Sequence, residues 1–285
     1  MMDSGGLRRE LIAIGKRPIR ALGQHFLANA AMADLCVGWA GLAPGDGVVE
    51  IGPGLGTLTE PMLQAGAIVH AVELDGQLVA RLTATLGKKF SGQLFLIHGD
   101  AVLLPLAGLG TADVENCRVV ANLPFSITGP WFDALLAGPL PRSVTIFLQR
   151  EMAERLLAAA PSRLRSALGV RLALAYRAVH SLAVPADAFH PRPAVDAMLI
   201  HWDRLPEPFC FSQKGHALLR HCFHNRRKLL KNAVDSLASH PNISVLRRWL
   251  AHITARGRSE NTLRAEELGD HDWQFLELLL RTAEM

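Results

Sequence analysis

The 285-residue chain has no apolar run approaching the roughly 18–20 residues needed to cross a bilayer, which excludes a membrane-spanning helix. Cysteine is scarce: Cys36, Cys117, Cys210 and Cys222 lie far apart, with no CxxC pair. That spacing supplies neither a disulfide framework nor a zinc site and predicts reduced thiols. The opening Met1-Met2-Asp3-Ser4-Gly5-Gly6 lacks the basic-then-apolar layout of a signal peptide, and Asp3 and Glu10 argue against a transit peptide. Internal repeats and low-complexity tracts are lacking too. Net charge is small, 30 Lys/Arg against 26 Asp/Glu, and 49% of residues are hydrophobic, so disorder is excluded as the dominant state. The expectation is a soluble, cytoplasmic, globular monomer of one large or two unequal domains.

The charge that is present is unevenly spread. Residues 44–140 hold four Lys/Arg against nine Asp/Glu, a net of −5, whereas residues 204–258 hold eleven Lys/Arg against Glu207 and Asp235, a net of +9. Residues 1–20 add Arg8, Arg9, Lys16, Arg17 and Arg20 and read as a basic arm. Two basic flanks around an acidic middle suit a polyanionic partner, because phosphate neutralisation supplies most sequence-independent affinity. A solvated helical surface would show the same charges. The cluster Arg226-Arg227-Lys228, with Lys231 one turn on, puts several of these charges on one helix face.

Short β-type runs alternate with helix-length amphipathic stretches. Candidate strands are 47–51, 67–73, 93–98, 118–121 and 144–148, with candidate helices at about 57–65, 76–87 and 128–137. This alternation predicts an α/β fold whose parallel sheet is covered on both faces. Residues 168–179 and 194–202 could add further strands, the second ending the sheet. Beyond Asp203, Pro206 and Pro208 punctuate the chain, and 216–238, 243–251, 264–267 and 271–282 read helical. A domain boundary is placed near 204.

The chemistry sits where the early strands end. Strand one runs into Gly52-Pro53-Gly54-Leu55-Gly56, alternate glycines that permit a tight turn and close approach of a ligand to the backbone. The spacing is G-x-G-x-G with no following Gly-Lys-Ser/Thr, which favours a loop closing over a nucleoside rather than a pyrophosphate cradle. Strand two ends at Glu73, about twenty residues beyond the glycines and placed to take both hydroxyls of a ribose, or else merely solvated. Strand three ends at Asp100, an acceptor for an adenine amino group or a helix cap. Strand four ends in Asn122-Leu123-Pro124-Phe125. There the Asn122 side chain and a backbone carbonyl can accept hydrogen bonds from one amino group while Phe125 offers a stacking face. An ordinary Asx-type turn with a core Phe is the other reading. The histidines His190, His201, His216, His221 and His224 have no carboxylate or cysteine at ligand spacing, so no metal is expected.

Taken in order, these residues resemble the KsgA/RsmA-type ribosomal RNA adenine dimethyltransferases, relatives of the Erm methyltransferases and of mitochondrial transcription factor B. The resemblance spans nearly the whole chain from about Arg17. It is carried by the motifs Ala21–Leu27, Glu50–Thr57, Val72–Asp75, Gly99-Asp100, Asn122–Phe125, Leu148–Arg155, Phe189–Asp196 and Phe223–Lys228. It implies a class I, Rossmann-like sheet that binds S-adenosyl-L-methionine over residues 21–203, and a small all-helical domain over 204–285 that contacts RNA. By resemblance, His25 and Leu27 border the cofactor and Gly52 and Gly54 approach it. Glu73 holds its ribose, Asp100 its adenine, and Asn122 stands between cofactor and substrate. Phe125 and Phe189 would sandwich the target adenine, and Arg226, Arg227 and Lys228 would contact the rRNA backbone. Pairing of Arg226 and Arg227 with Glu266 or Glu267 is the competing reading. The implied activity is dimethylation of two adjacent adenosines near the 3′ end of small-subunit rRNA in a pre-ribosomal particle. Alternatives are an Erm-like action on large-subunit rRNA and a non-catalytic assembly or transcription factor. The chain departs from many relatives at His25, where they carry Asn, at Phe125, where they carry Tyr, and at Leu164-Arg165, where Tyr-Gly is common.

Overall fold

The computed structural model describes residues 4–16, 23–224 and 228–283. The chain divides into two compact units: residues up to Ala153 with Arg177–Arg204, and Glu154–Tyr176 with everything from Leu205 onward. A single cut near 204 is therefore incomplete, because 154–176 groups with the C-terminal residues. The reason is apolar burial: Val170 and Leu174 belong to the same core as Leu218, Leu246 and Trp249.

The strands, in chain order, are β1 (Phe26–Leu27), β2 (Gly47–Ile51), β3 (Ile68–Glu73), β4 (Leu94–His98), β5 (Arg118–Asn122), β6 (Ser143–Gln149), β7 (Tyr176–Val184), β8 (Phe189–His190) and β9 (Ala197–Arg204). Seven of them form one sheet in the order β4-β3-β2-β5-β6-β9-β7, and β1 pairs with β8 in a separate two-stranded ribbon. The central pairs β3–β4, β2–β3, β2–β5 and β5–β6 are parallel, and β9 runs antiparallel to β6. Strands β2, β5 and β6 lack strict alternation because both their faces are covered: Val48, Val49, Val119, Val120 and Ile146 are all fully buried. The chain builds β2, β3 and β4 outward in one direction and then returns to lay β5 and β6 on the other side of β2. The crevice at the carboxyl ends of β2 and β5 is thus the switch point where open α/β sheets bind ligands.

Two local departures from the sequence reading have physical causes. Residues 167–175 are a helix, with the strand beginning only at Tyr176. Ser166 caps that helix by accepting the Gly169 N–H at 3.1 Å, and a capped start outweighs the β-like run of small apolar residues. The N-terminal stretch is not a free arm either. Ser4–Ala13 is a helix whose Leu7 and Leu11 are buried against Phe26, Leu55 and Leu78, burial that stabilises by roughly 1.5–3 kcal/mol per side chain.

In the second unit, helices Ala167–Ala175, Gln213–His224, Ile243–Ala255 and Asp270–Thr282 enclose a core around Trp249 and Trp273, whose rings lie 5.0 Å apart. Trp249 also donates its indole N–H to the Asp272 carbonyl at 2.7 Å, so its polar edge is satisfied inside the core. Among the described residues no helix is long and apolar enough to cross a membrane.

Candidate active site

The glycine loop after β2 is built by sterics. Gly52, Gly54 and Gly56 have φ of +66°, +59° and +89°, a region L side chains rarely adopt. A Cβ on Gly54 would meet the Phe26 ring at 3.0 Å, and one on Gly56 would meet Leu86 at 2.8 Å. The loop is thereby pressed between Phe26 and the helix after β3, with its backbone turned to the crevice.

Glu73 closes that loop from the neighbouring strand. Its Oε2 accepts the Gly54 N–H at 3.1 Å and its Oε1 accepts the Asp75 N–H at 3.0 Å. A carboxylate offers about four lone-pair sites, so two remain for the two hydroxyls of a ribose. Burial pushes the Glu73 carboxyl above the ordinary carboxylate range, while the backbone of Gly54 and Leu74 and the charges of Lys16 and His98 pull the other way. Beneath the loop, Glu50 is fully buried, accepts the Thr59 hydroxyl at 2.7 Å and is pushed up to about 8 by desolvation. Asp100 does not cap a helix, because the residues after it form turns: its Oδ1 accepts the Val102 N–H at 2.8 Å in an Asx-type turn, and the residue lines the crevice.

At the end of β5, Asn122 donates its Nδ2 to the His25 backbone carbonyl at 2.6 Å. That bond fixes the amide and leaves Oδ1 as the acceptor. His25 is itself tied down, its Nδ1 lying 2.7 Å from the Pro191 carbonyl. A carbonyl only accepts, so Nδ1 carries the proton and Nε2 is the basic nitrogen of the neutral ring. The His25 and Phe125 rings sit 5.7 Å apart, tilted.

Two cavities open along this edge. One, about 430 Å³, is lined by His25, Gly52, Gly54, Asn122, Leu123 and Phe125. The other, about 560 Å³, is lined by Val72, Leu74, Gly99, Asp100, Ala101 and Ile127. Gln24, Gly52, Glu73 and Pro124 line both, so the two are parts of one groove running from the end of β5 to the end of β4. Gln24, Leu74 and Ala101 were not singled out from the sequence. Gln24 stands inside the Ala21–Leu27 run, so position was available as a signal there, while Leu74 and Ala101 follow from being next to Glu73 and Asp100.

Leu27 and Phe189 stand apart from the cavity linings. They face each other across the β1–β8 ribbon, are 2% and 3% exposed, and line neither cavity. The ribbon turns both side chains into the core, where Phe189 meets Phe147 edge-on at 5.9 Å. Here Phe125 alone of the two presents an aromatic face to the groove. In the C-terminal unit, Arg226 and Arg227 lie outside the described residues, and Lys228 is exposed. Glu267, one of the acids proposed to pair with them, accepts the Arg264 N–H at 2.8 Å.

The residues fit a nucleoside-bearing methyl donor: a glycine cradle that a Cβ would fill, a carboxylate with spare acceptors and an apolar slot ending at Asp100. The sequence model of the ribosomal RNA adenine dimethylase family matches residues 17–256. The chain belongs to this family. It is an S-adenosylmethionine-dependent rRNA adenine dimethyltransferase of class I, Rossmann-like fold. A ribosomal RNA small subunit methyltransferase A from Opitutus terrae is 42% identical over 95% of this chain and 96% of its own length. Among solved structures, a dimethyladenosine transferase from Plasmodium falciparum superposes with a TM-score of 0.75 at 22% identity, covering 92% of this chain and 99% of that one. The 23S rRNA methyltransferase ErmE superposes with a TM-score of 0.63 at 23% identity, over 90% and 99% respectively. Both show the fold. Among the described residues no group of three or more His, Cys, Asp or Glu is arranged to hold a metal ion.

Proposed function

We propose that this dimethyltransferase acts on small-subunit rRNA, converting two adjacent adenosines near the 3′ end to N6,N6-dimethyladenosine within a cytoplasmic pre-ribosomal particle, as a monomer. The observation that carries the site assignment is Asn122, its amide held by the His25 carbonyl so that Oδ1 is presented as an acceptor beside Gly52. The choice of the small subunit is supported by the relative from Opitutus terrae, which matches almost end to end and is a small-subunit methyltransferase. The likeness to ErmE is one of fold alone.

The adenine amino nitrogen is a poor nucleophile because its lone pair is delocalised into the ring. S-Adenosylmethionine supplies the electrophilic methyl group on its sulfonium. Asn122 Oδ1 and the Leu123 carbonyl accept the two amino hydrogens, which favours a pyramidal nitrogen with its lone pair directed out of the ring plane. Pro124 stiffens the turn that holds these acceptors, and Phe125 stacks on the extruded base. Catalysis is positioning, and no strong base is required because the proton departs after transfer. Once one methyl is attached, a single amino hydrogen remains, so the second transfer proceeds with one of the two acceptor contacts.

Glu73 takes the ribose hydroxyls, Asp100 the adenine amino group, and Gly52 and Gly54 admit the cofactor to the backbone. Leu27 and Phe189 support the groove from behind it. Lys228, with Arg226 and Arg227, binds rRNA phosphates, the electrostatic part of affinity. Transfer of labelled methyl to small-subunit particles lacking the modification, beside naked large-subunit RNA, tests the assignment. Label confined to the small-subunit particles is expected, and label in large-subunit RNA would place the protein with the Erm-like enzymes.

A further inference from the structure

Lys16 lies just ahead of the family match, which begins at residue 17. Its Nζ forms an ion pair with Asp75 and donates to Gln77 Oε1 at 3.4 Å. Both side chains of the ion pair are only 9% exposed, which sets it apart from a surface bridge. Asp75 caps the helix Gly76–Leu82 by accepting the Gln77 N–H at 3.0 Å, and its own N–H is one of the two that hold the Glu73 carboxylate. The segment that delivers Lys16 is anchored separately. Leu7 and Leu11 pack on Leu55 of the glycine loop and on Leu78, and Glu10 forms an ion pair with Arg81.

We propose that Lys16 is a positioning residue for the cofactor, acting through Asp75 on the Glu73 carboxylate. The inference rests on the assignment of Glu73 to the ribose. Lys16 contributes in two ways. It fixes Asp75, whose backbone N–H sets the plane of the carboxylate. It also places a positive charge beside a group that burial drives toward its neutral form, and the neutral form has fewer acceptors for two hydroxyls. The other titratable groups around Glu73 are His98, whose charge also favours the ionised form, Glu50, which repels it, and Asp75 itself. Asp100 lines the same groove. A residue that would be a phosphate-binding arm in an extended N-terminus is thus committed to the cofactor site.

The test is the affinity of the full chain for S-adenosylhomocysteine, titrated by calorimetry from about pH 5 to about pH 9, for wild type, Lys16→Met, Lys16→Arg and Glu73→Gln. Wild-type affinity weakens as pH falls through the Glu73 transition. In Lys16→Met the loosened Asp75 N–H weakens binding at every pH, and the acid limb also moves up by about one pH unit, so the deficit is about tenfold greater below both midpoints than at high pH. Lys16→Arg restores the wild-type curve, and Glu73→Gln binds weakly throughout. Coincident wild-type and Lys16→Met curves, or a loss equal at every pH, would overturn the inference while leaving the ribose assignment intact. Wild-type binding by Glu73→Gln would overturn that assignment and the inference with it.

Discussion

The Asn122 side chain is oriented by the backbone of residue 25: Nδ2 donates to the His25 carbonyl at 2.6 Å, joining the end of β5 to the segment before β1. The contact uses no side-chain atom of residue 25. The presence of His where many relatives carry Asn therefore leaves the orientation of Asn122 intact.

On the proposed assignment, Asn122→Ala removes an acceptor for the amino group and leaves Glu73 and Asp100 in place. Turnover is expected to fall at least about 100-fold, because misplacement of the reacting group costs that much. S-Adenosylhomocysteine affinity should stay within about tenfold, the scale of one or two hydrogen bonds. Single-turnover methyl transfer and calorimetry on the same preparations check both halves.

His25→Asn tests the backbone role directly. It removes the ring that meets the Pro191 carbonyl and lies tilted against Phe125, but keeps the carbonyl that holds Asn122. The expected loss of turnover is less than about tenfold, the scale of one hydrogen bond. A collapse equal to that of Asn122→Ala would mean that the imidazole itself takes part.

Phe125 and Phe189 separate by experiment as they do in space. Phe189→Ala is expected to cost about 3–5 kcal/mol of stability, as for a buried aromatic side chain, read by urea denaturation. Phe125 is only half-buried and lines the groove, so Phe125→Ala should lower stability less and act mainly on the kinetics with rRNA substrate.

Glu50 gives the fold a pH dependence. Its folded-state pKa, about 8, lies above the ordinary value of 4.5 that it regains on unfolding. Between those values the folded state binds the extra proton. The stabilisation is therefore complete below the lower value and is lost as pH rises through the upper one. Glu50→Gln keeps an acceptor for Thr59 and has no proton to lose. Its melting temperature relative to wild type should rise from about pH 5 to about pH 9, measured without cofactor. A constant difference across that range would contradict the assignment.

Gly54→Ala adds a methyl group where the Phe26 ring already stands at 3.0 Å and where φ is +59°. The loop must shift, taking with it the N–H that holds Glu73. Cofactor affinity should drop at least about tenfold, since both strain and a charge-assisted hydrogen bond are involved.

Much of this was legible in the sequence because it is local. The five parallel strands are dense in β-branched and apolar residues, and the groups that line the groove follow directly on their carboxyl ends: Gly52 and Gly54, Glu73, Asp100 and Asn122. What escaped depends on partners distant in sequence. Leu27 and Phe189 pair across the β1–β8 ribbon, 162 residues apart, and nothing near either one announces that both turn inward. Residues 154–176 join the C-terminal unit because Val170 and Leu174 find their core there. The N-terminal helix carried a local signal, Leu7, Leu11 and Ile14 at helical spacing, which the density of arginine and lysine around it obscured.

The central claim is that the Asn122 site places two methyl groups on adenine nitrogen in small-subunit rRNA. The most direct measurement is nucleoside analysis of small-subunit particles that lack the 3′-end modification, after incubation with S-adenosylmethionine and either the wild-type chain or Asn122→Ala. The prediction is N6,N6-dimethyladenosine with wild type and little or none with the variant. Equal dimethyladenosine from both proteins, or no methylated adenosine from wild type, would contradict it.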